Sequence, residues 1–444
     1  MRLSTVVFST VLCACLLALA LPGQTITGAI TGTVTDPSGA IVPNAKVSAT
    51  NQATNVSYDA QSNEAGIYNL LFLPIGEYTV SVTSSGFKKS TLGPFKLEGN
   101  QTARVDVKLE VGDTTQVVEV KDVAPILQTE TTQTGDTINT AQLTSLPLKG
   151  RNFVSLTLLV PGAVSTNPDG TNSRFGARPF VNGNREQTNN FMLDGVDVND
   201  SIDNRVGYSP NVDALEEVKV LTGNAAADYG NAGGATVMMQ LKSGTNQFHG
   251  NVFEFLQNDK LNANGFFRNR NLSTAKRTGF KRNIFGGTLG GPIKKDKLFF
   301  FVDYEGTESR SSGPATASVA PSAWRNGDLS AFPNIITDPT TGQPFPGKQI
   351  PVARIVNPVA KKLFSSPDLY PLPNQPGTGA LLVSGNYGAS SASAIKNHQG
   401  DAKIDWRFSD KDSISGRFSM GDYQSVGSAS PLAIQMQSGQ LGPT

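Results

Sequence analysis

Few side chains in this sequence could do chemistry, and their spacing closes most routes. The only histidines, His249 and His398, lie far apart and form no HExxH pair, which excludes a zinc peptidase of that type. No GxSxG elbow accompanies either of them, so a serine hydrolase triad is not expected. The only cysteines, Cys13 and Cys15, sit in the first apolar run and leave the rest of the chain without a disulfide framework or cysteine metal site. The glycine-rich stretch containing Tyr229, Gly230, Gly233 and Gly234 could cradle a phosphate. It lacks the Gly-Lys-Ser/Thr ending that sets a lysine on that phosphate. No enzyme, cofactor or metal site is expected. The net charge is +1, from 37 basic and 36 acidic residues, without the clustered basic excess of a nucleic-acid binder.

What remains is charge at alternating positions. Asp401, Lys403, Asp405 and Arg407 share one face of a strand whose other face is Ala402, Ile404, Trp406 and Phe408. After a tight turn at 409–412, Ser413, Ser415, Arg417 and Ser419 oppose Ile414, Gly416, Phe418 and Met420. An apolar-out, polar-in hairpin with strands of about 8–10 residues is the pattern of a transmembrane β-barrel. A soluble hairpin packing one face on a core alternates in the same way. Further strands are expected at 247–257, 283–291 and 298–305. Their connections alternate long (258–282, 306–398) and short (292–296, 409–412), as barrels alternate long extracellular loops with short periplasmic turns. The polar face is expected to solvate the barrel interior.

Stepping upstream, the elements that must position this sheet are β-rich. Charged residues are 16% of the chain, against about 25% in an average soluble protein, and the 45 glycines suit turn-rich β structure. Residues 1–23 combine Arg2 with an apolar run of about 15 residues, too short for a membrane span of about 20. They read as a signal peptide, cut after Ala20 or Gly23. No other segment is long and apolar enough for a transmembrane helix, so entry into a membrane requires a barrel. Residues 24–110 read as about seven short strands with turn signals between them, such as Asp36-Pro37-Ser38-Gly39. The last is expected at 103–109. Residues 111–128 form a polar linker with one β run, Val117-Val118-Glu119-Val120. Asp194-Gly195 between apolar runs predicts a hairpin, and 212–223 predicts a helical turn leading into a strand.

Two resemblances follow from these residues. Gly32-x-Val34-x-Asp36, Gly39, Ala45-x-Val47, Gly66-x-Tyr68 and Leu73-Pro74-x-Gly76-x-Tyr78-x-Val80 resemble the carboxypeptidase regulatory-like domain. That implies a non-catalytic, prealbumin-like β-sandwich, grouped with carbohydrate-binding-like folds. Tyr58, Tyr68 and Tyr78 are expected in its core rather than against a sugar. Downstream, Leu193-Asp194-Gly195-Val196, then the run from Glu216 through Gly223, then Tyr229-Gly230-Asn231-Ala232-Gly233-Gly234 resemble the plug of TonB-dependent outer-membrane receptors. The order sandwich, plug, barrel resembles their Oar-like branch.

The resemblance implies a mainly β chain: sandwich at 24–110, linker at 111–128, α+β plug at 129–244 and the first strands of an incomplete barrel at 245–444. It implies energised uptake across a Gram-negative outer membrane, with sandwich and plug on the periplasmic side. The partners implied are an inner-membrane TonB-type transducer, outer-membrane lipid and a small-molecule, oligosaccharide or peptide substrate. By position Val117–Val120 is either the TonB box, which would pair with the transducer by strand addition, or an ordinary linker strand. Five strands, against about 22 in plugged transporters, lead to the expectation that the chain is the N-terminal part of a longer protein. The competing reading is a cell-surface module that binds carbohydrate or matrix without transport.

Overall fold

The computed structural model describes residues 26–113, 116–120, 130–165, 179–230, 233–263, 266, 279–409 and 412–427. The expected signal peptide and the closing polar segment 435–444 lie outside the described residues. Among the described residues no helix is long and apolar enough to cross a membrane. The fold is mainly β, and it divides into two units. One comprises Met1–Val252, Gly286–Glu305 and Gln399–Gly421; the other comprises Phe253–Phe285, Gly306–His398 and Asp422–Thr444.

In the first unit, the sandwich begins with β1 (Gly28–Thr35), β2 (Lys46–Asn51), β3 (Ser57–Gln61) and β4 (Ile67–Leu73). It continues with β5 (Gly76–Thr83), β6 (Lys89–Leu97), β7 (Thr102–Arg104), β8 (Val107–Lys108) and β9 (Val117–Val120). One sheet runs β4-β1-β7, with β8 also on β1; the other runs β3-β2-β5-β6-β9. Strict period-two alternation buries Ile30 and Val34 of β1 against Tyr78, Val80 and Val82 of β5. Tyr68 and Tyr78 are core residues. Their hydroxyls donate to Val105 O at 2.6 Å and Pro74 O at 2.8 Å, which satisfies the polar tip of each ring.

Two expectations need correction here. The strand expected at 103–109 is broken into β7 and β8, and the Val105 carbonyl at the break takes the Tyr68 hydroxyl. The run Val117–Val120 does not hang in a linker: it pairs in parallel with residues 89–92 of β6, so the sheet extends past residue 110. Its hydrogen-bonding capacity is what a sheet edge seeks, and β6 offers one.

The plug strands are β10 (Thr134–Asn139), β11 (Ala163–Ser165), β12 (Pro179–Val181), β13 (Asn190–Leu193), β14 (Val196–Asp197), β15 (Leu215–Gly223) and β16 (Thr236–Leu241), with helix α1 (Thr140–Ser145) after β10. The main sheet runs β10-β15-β16-β13-β14. Asn139 and Gln142 form a reciprocal capping box that starts α1. Asp194 (φ +48) and Gly195 (φ +82) make the tight β13–β14 turn, with both central residues left-handed as a type I′ hairpin requires. The helical turn Val212–Ala214 leads into β15. Phe153, Leu156, Phe191, Val218, Val220, Val237 and Met239 are buried in the plug core.

Five further strands follow: β17 (His249–Asn258), β18 (Gly279–Lys294), β19 (Leu298–Ala317), β20 (Tyr387–Arg407) and β21 (Ser413–Gly427). They form one sheet in sequence order, which does not close on itself. Each of β18 to β21 is longer than expected; the excess is greatest in β19 and β20, where Gly306–Ala317 and Tyr387–Gly400 carry no clear apolar alternation to read. These strands contribute residues to both units.

The second unit also holds the long 318–386 connection, which is folded rather than extended. It carries helices α2 (Ser322–Arg325) and α3 (Pro358–Phe364). The Arg325 guanidinium donates to Ala320 O (2.9 Å) and Tyr370 O (2.6 Å) and lies over the Tyr370 ring. Asn386 closes the connection by exchanging two hydrogen bonds with the Val319 backbone.

Candidate functional site

The site is the set of polar side chains that join the plug to the barrel-type strands, and it lies within the first unit. On β20 the alternation is physical. Asp401 and Lys403 are each 4% exposed, while Ile404 and Trp406 just beyond them are 48% and 47% exposed. On β19 the parity is the same, with Asp303 and Glu305 buried and Val302 and Tyr304 exposed. On these stretches the exposed face is apolar and the face toward the plug is polar, as in a membrane barrel, except that Phe299 and Phe301 on the inward parity of β19 are buried and Phe301 joins the plug core. Near the turn ends of these strands, Phe248 lies beside Phe300 and Trp406 beside Phe408, an aromatic row of the kind that marks a membrane–water boundary.

Two clusters fill the polar face. In the first, the plug's Arg151 is paired with Asp213 and with Glu305 of β19, the latter at 3.3 Å. Asp213 also accepts from Asn251 of β17 at 2.8 Å, and Asn251 accepts from the Thr288 hydroxyl of β18 at 2.7 Å. Lys242 donates to the Asp213 carbonyl at 2.7 Å. One plug arginine is thus tied to three successive strands, directly to β19, through Asp213 to β17, and through Asp213 and Asn251 to β18.

The second cluster forms around the hairpin turn of the plug. Asp194 faces Lys403 of β20 and Arg417 of β21, each at 3.4 Å. Lys403 also donates to Leu241 O at 3.3 Å, and Arg417 to Leu193 O at 3.2 Å. Asp401 accepts from the plug's Tyr208 hydroxyl at 2.8 Å and bonds the Ser419 hydroxyl. Asp405 and Arg407 lie nearer the turn. Asp405 accepts from the Ser415 hydroxyl at 2.6 Å, while Arg407 donates to Ser57 O of the sandwich at 2.9 Å and stacks over Tyr58.

The polar face was expected to solvate the interior. Instead Asp401 and Lys403 are withdrawn from water and bound to the plug. Buried ions are tolerated only when paired and hydrogen-bonded, and these are.

The remaining glycines and Tyr229 serve the plug's own architecture. Asn190 Nδ2 donates to Tyr229 O at 2.7 Å, where Gly230 turns the chain at φ +76. The amides of Gly233 and Gly234 both donate to Thr188 O, at 3.1 and 2.9 Å. A Cβ on Gly234 would stand 2.5 Å from the Asn189 side-chain oxygen, so glycine is needed for that close approach. Among the described residues no group of acidic, histidine or cysteine side chains could hold a metal ion.

Sequence reasoning missed Arg151, Tyr208, Asp213 and Glu305. Glu305 had a signal, since it falls on the inward parity of β19. Arg151, Tyr208 and Asp213 had none, because each meets its strand partner only through the fold.

A further contact joins the plug sheet to the sandwich. The Gly99 amide of the sandwich donates to Glu217 Oε1 at 2.7 Å, and Lys219 donates to Gly99 O at 2.8 Å. Burial pushes the Glu217 carboxyl up to about 7 and lowers the Lys219 ammonium from its ordinary value.

Sandwich, plug and inward-charged strands define an outer-membrane protein of the plug-and-barrel class. Comparison with known proteins gives its family. Residues 29–110 match the carboxypeptidase regulatory-like domain, 127–237 the TonB-dependent receptor plug domain and 240–443 an outer membrane beta barrel domain. The chain belongs with the TonB-dependent receptors, in the arrangement of the Oar-like branch, and its place is the Gram-negative outer membrane. It is similar to the TonB-dependent transporter Oar of Myxococcus xanthus, at 29% identity over 291 residues. That match covers 62% of this chain and 26% of the relative, so the chain spans about a quarter of that protein's length. Solved structures similar to it include a ferric enterobactin receptor (PfeA) mutant from Pseudomonas aeruginosa, at 15% identity, 66% of this chain, 33% of that chain and TM-score 0.34. Another is the outer membrane transporter YddB from Escherichia coli, at 12% identity, 63% of this chain, 32% of that chain and TM-score 0.38.

Proposed function

We propose that this protein is an energised outer-membrane receptor that takes up an unidentified small molecule, oligosaccharide or peptide, and that it is not an enzyme. The observation that supports this best is the burial of Arg151 and Asp194 of the plug against charged residues of the strands. A plug held by ion pairs is firmly seated, yet every pair can be rehydrated and re-formed. Such a joint suits a plug that must be moved and returned. The outer membrane has no nucleotide supply, so the work would come from the inner-membrane potential, about 2.3 kcal/mol per charge per 100 mV. In this reading Val117–Val120 is the segment that an inner-membrane transducer takes up by strand addition, and Asp401, Lys403, Asp405, Arg407 and Arg417 line the lumen.

The test is uptake by cells carrying the full-length receptor, with and without an uncoupler, and with Val117–Val120 deleted. Uptake abolished by both treatments is expected. Binding without energy-dependent uptake would return the lead to an adhesion module, and full uptake by the deletion would remove the role from this strand.

A further inference from the structure

We infer that the sandwich is a restraint on the plug, holding β15 through the turn at 98–100. The contact is a grip on the backbone of one residue, on both sides of its Cα. Glu217 accepts the Gly99 N–H and Lys219 donates to the Gly99 carbonyl. These two side chains stand two residues apart on one face of β15, the spacing that puts neighbours on the same side of a strand. Both are almost fully covered, at 1% and 5% exposure. The other Glu217 oxygen has no hydrogen-bond partner among the described residues. Beside the grip, Asn100 Nδ2 donates to Met238 Sδ at 2.9 Å, and Ile26 packs with Met192, Leu221 and Met238. Residue 99 has no room for a side chain: a Cβ there would stand 2.5 Å from Glu217 Oε1 and 2.6 Å from Ile26 Cγ2.

This arrangement explains two features that the plug alone leaves without a reason. A plug strand has no use for a buried carboxylate and ammonium unless something covers and bonds them. If the sandwich lifts, both ions regain water, which offsets much of the cost of breaking the bonds. The joint is therefore specific when closed and cheap to open, the property of a catch rather than of a core. It assigns the sandwich a role in holding the plug shut, independent of any sugar it could bind and of which segment meets the transducer.

The experiment uses the full-length receptor in the outer membrane and vancomycin, a probe too large to cross an intact outer membrane. Asn100→Cys with Met238→Cys should be joined by a short bis-methanethiosulfonate crosslinker, because the tips of the two native side chains touch and the shorter cysteines leave a gap for the linker to span. Gly99→Val should raise vancomycin susceptibility roughly five- to tenfold by shifting plug populations, at unchanged receptor level and heat-modifiable migration. Lys219→Met, which adds no bulk, should raise it in the same direction. Glu217→Gln keeps the acceptor for the Gly99 amide and should stay tight. Absence of the crosslink would overturn the docked geometry. A crosslink that forms normally, with Gly99→Val and Lys219→Met as tight as the parent, would overturn the restraint.

Discussion

Arg151→Met is the most informative single change at the plug–strand joint. It keeps most of the side chain's length and removes its charge. Two carboxylates then lose their partner, and both are nearly buried: the side chains of Asp213 and Glu305 are 10% and 8% exposed. At an effective dielectric constant of about 20, a unit pair 3.3 Å apart attracts by about 5 kcal/mol before desolvation is subtracted. Breaking a buried pair from one side costs about 3–5 kcal/mol, mostly as the penalty of stranding the other charge. That is the expected loss of plug stability. Adding Glu305→Gln to Arg151→Met should recover part of it, with a coupling of about 1–3 kcal/mol. The comparison is Arg354→Met, whose pair with Asp338 is 44% exposed on the arginine side and should cost about 1 kcal/mol or less. Pulse proteolysis of the purified full-length receptor across a urea gradient reads the unfolding midpoint of the plug for the Arg151 variants and of the 318–386 connection for Arg354→Met. Equal costs for Arg151→Met and Arg354→Met, or strict additivity with Glu305→Gln, would refute the claim that this joint is dry and paired.

Further outcomes are expected elsewhere. Ile404→Arg should disfavour barrel insertion by about 2–4 kcal/mol if it faces lipid near the midplane, while Asp405→Arg should be mild; the heat-modifiable fraction measures both, and equal effects would mean the faces are reversed. The grip on Gly99 should weaken with rising pH. Burial holds Glu217 at about 7 when docked and its ordinary value is 4.5, so the docked state binds the extra proton. Docking is then strongest below 4.5 and loses on the order of 3 kcal/mol as pH rises through 7. Glu98, Lys96 and Lys219 face the same carboxyl, and the lowered ammonium of Lys219 opposes the trend only at higher pH. The rate of the Asn100–Met238 cysteine crosslink, normalised to a free-thiol control, follows this, and Glu217→Gln should flatten it. Gly195→Val should cost about 1–3 kcal/mol, because a β-branched residue is forced to φ +82; a thermal scan of the purified receptor measures the shift.

Local patterns were legible in the sequence, and long-range partners were not. The alternation across residues 401–408 needs only the pleat, and the Asp194-Gly195 turn needs only the left-handed tolerance of those two residues. Each could be read without the rest of the chain. The extension of β19 through residue 317 could not, since Gly306 to Ala317 is polar on both faces and looks like loop. Arg151 and Glu305 are 154 residues apart, and neither local sequence carries a mark of the other. Nothing in the local sequence marks Glu217 and Lys219 as covered, because the Gly99 backbone that covers them has no side chain to announce it. Val117–Val120 was read correctly as a β run, but its place beside β6 depends on a parallel ladder that no turn signal encodes.

The separations along the chain also set an order of assembly. Sandwich strands find their partners within a stretch of fewer than a hundred residues, whereas Arg417 reaches Leu193 across 224. Contacts between near neighbours in sequence form first, because less loop entropy is lost in closing them. In that order the sandwich forms while Arg151, Asp194 and Asp213 still face water as ordinary hydrated charges. Those charges keep the waiting plug soluble, and they become its internal bonds only when the strands arrive around it.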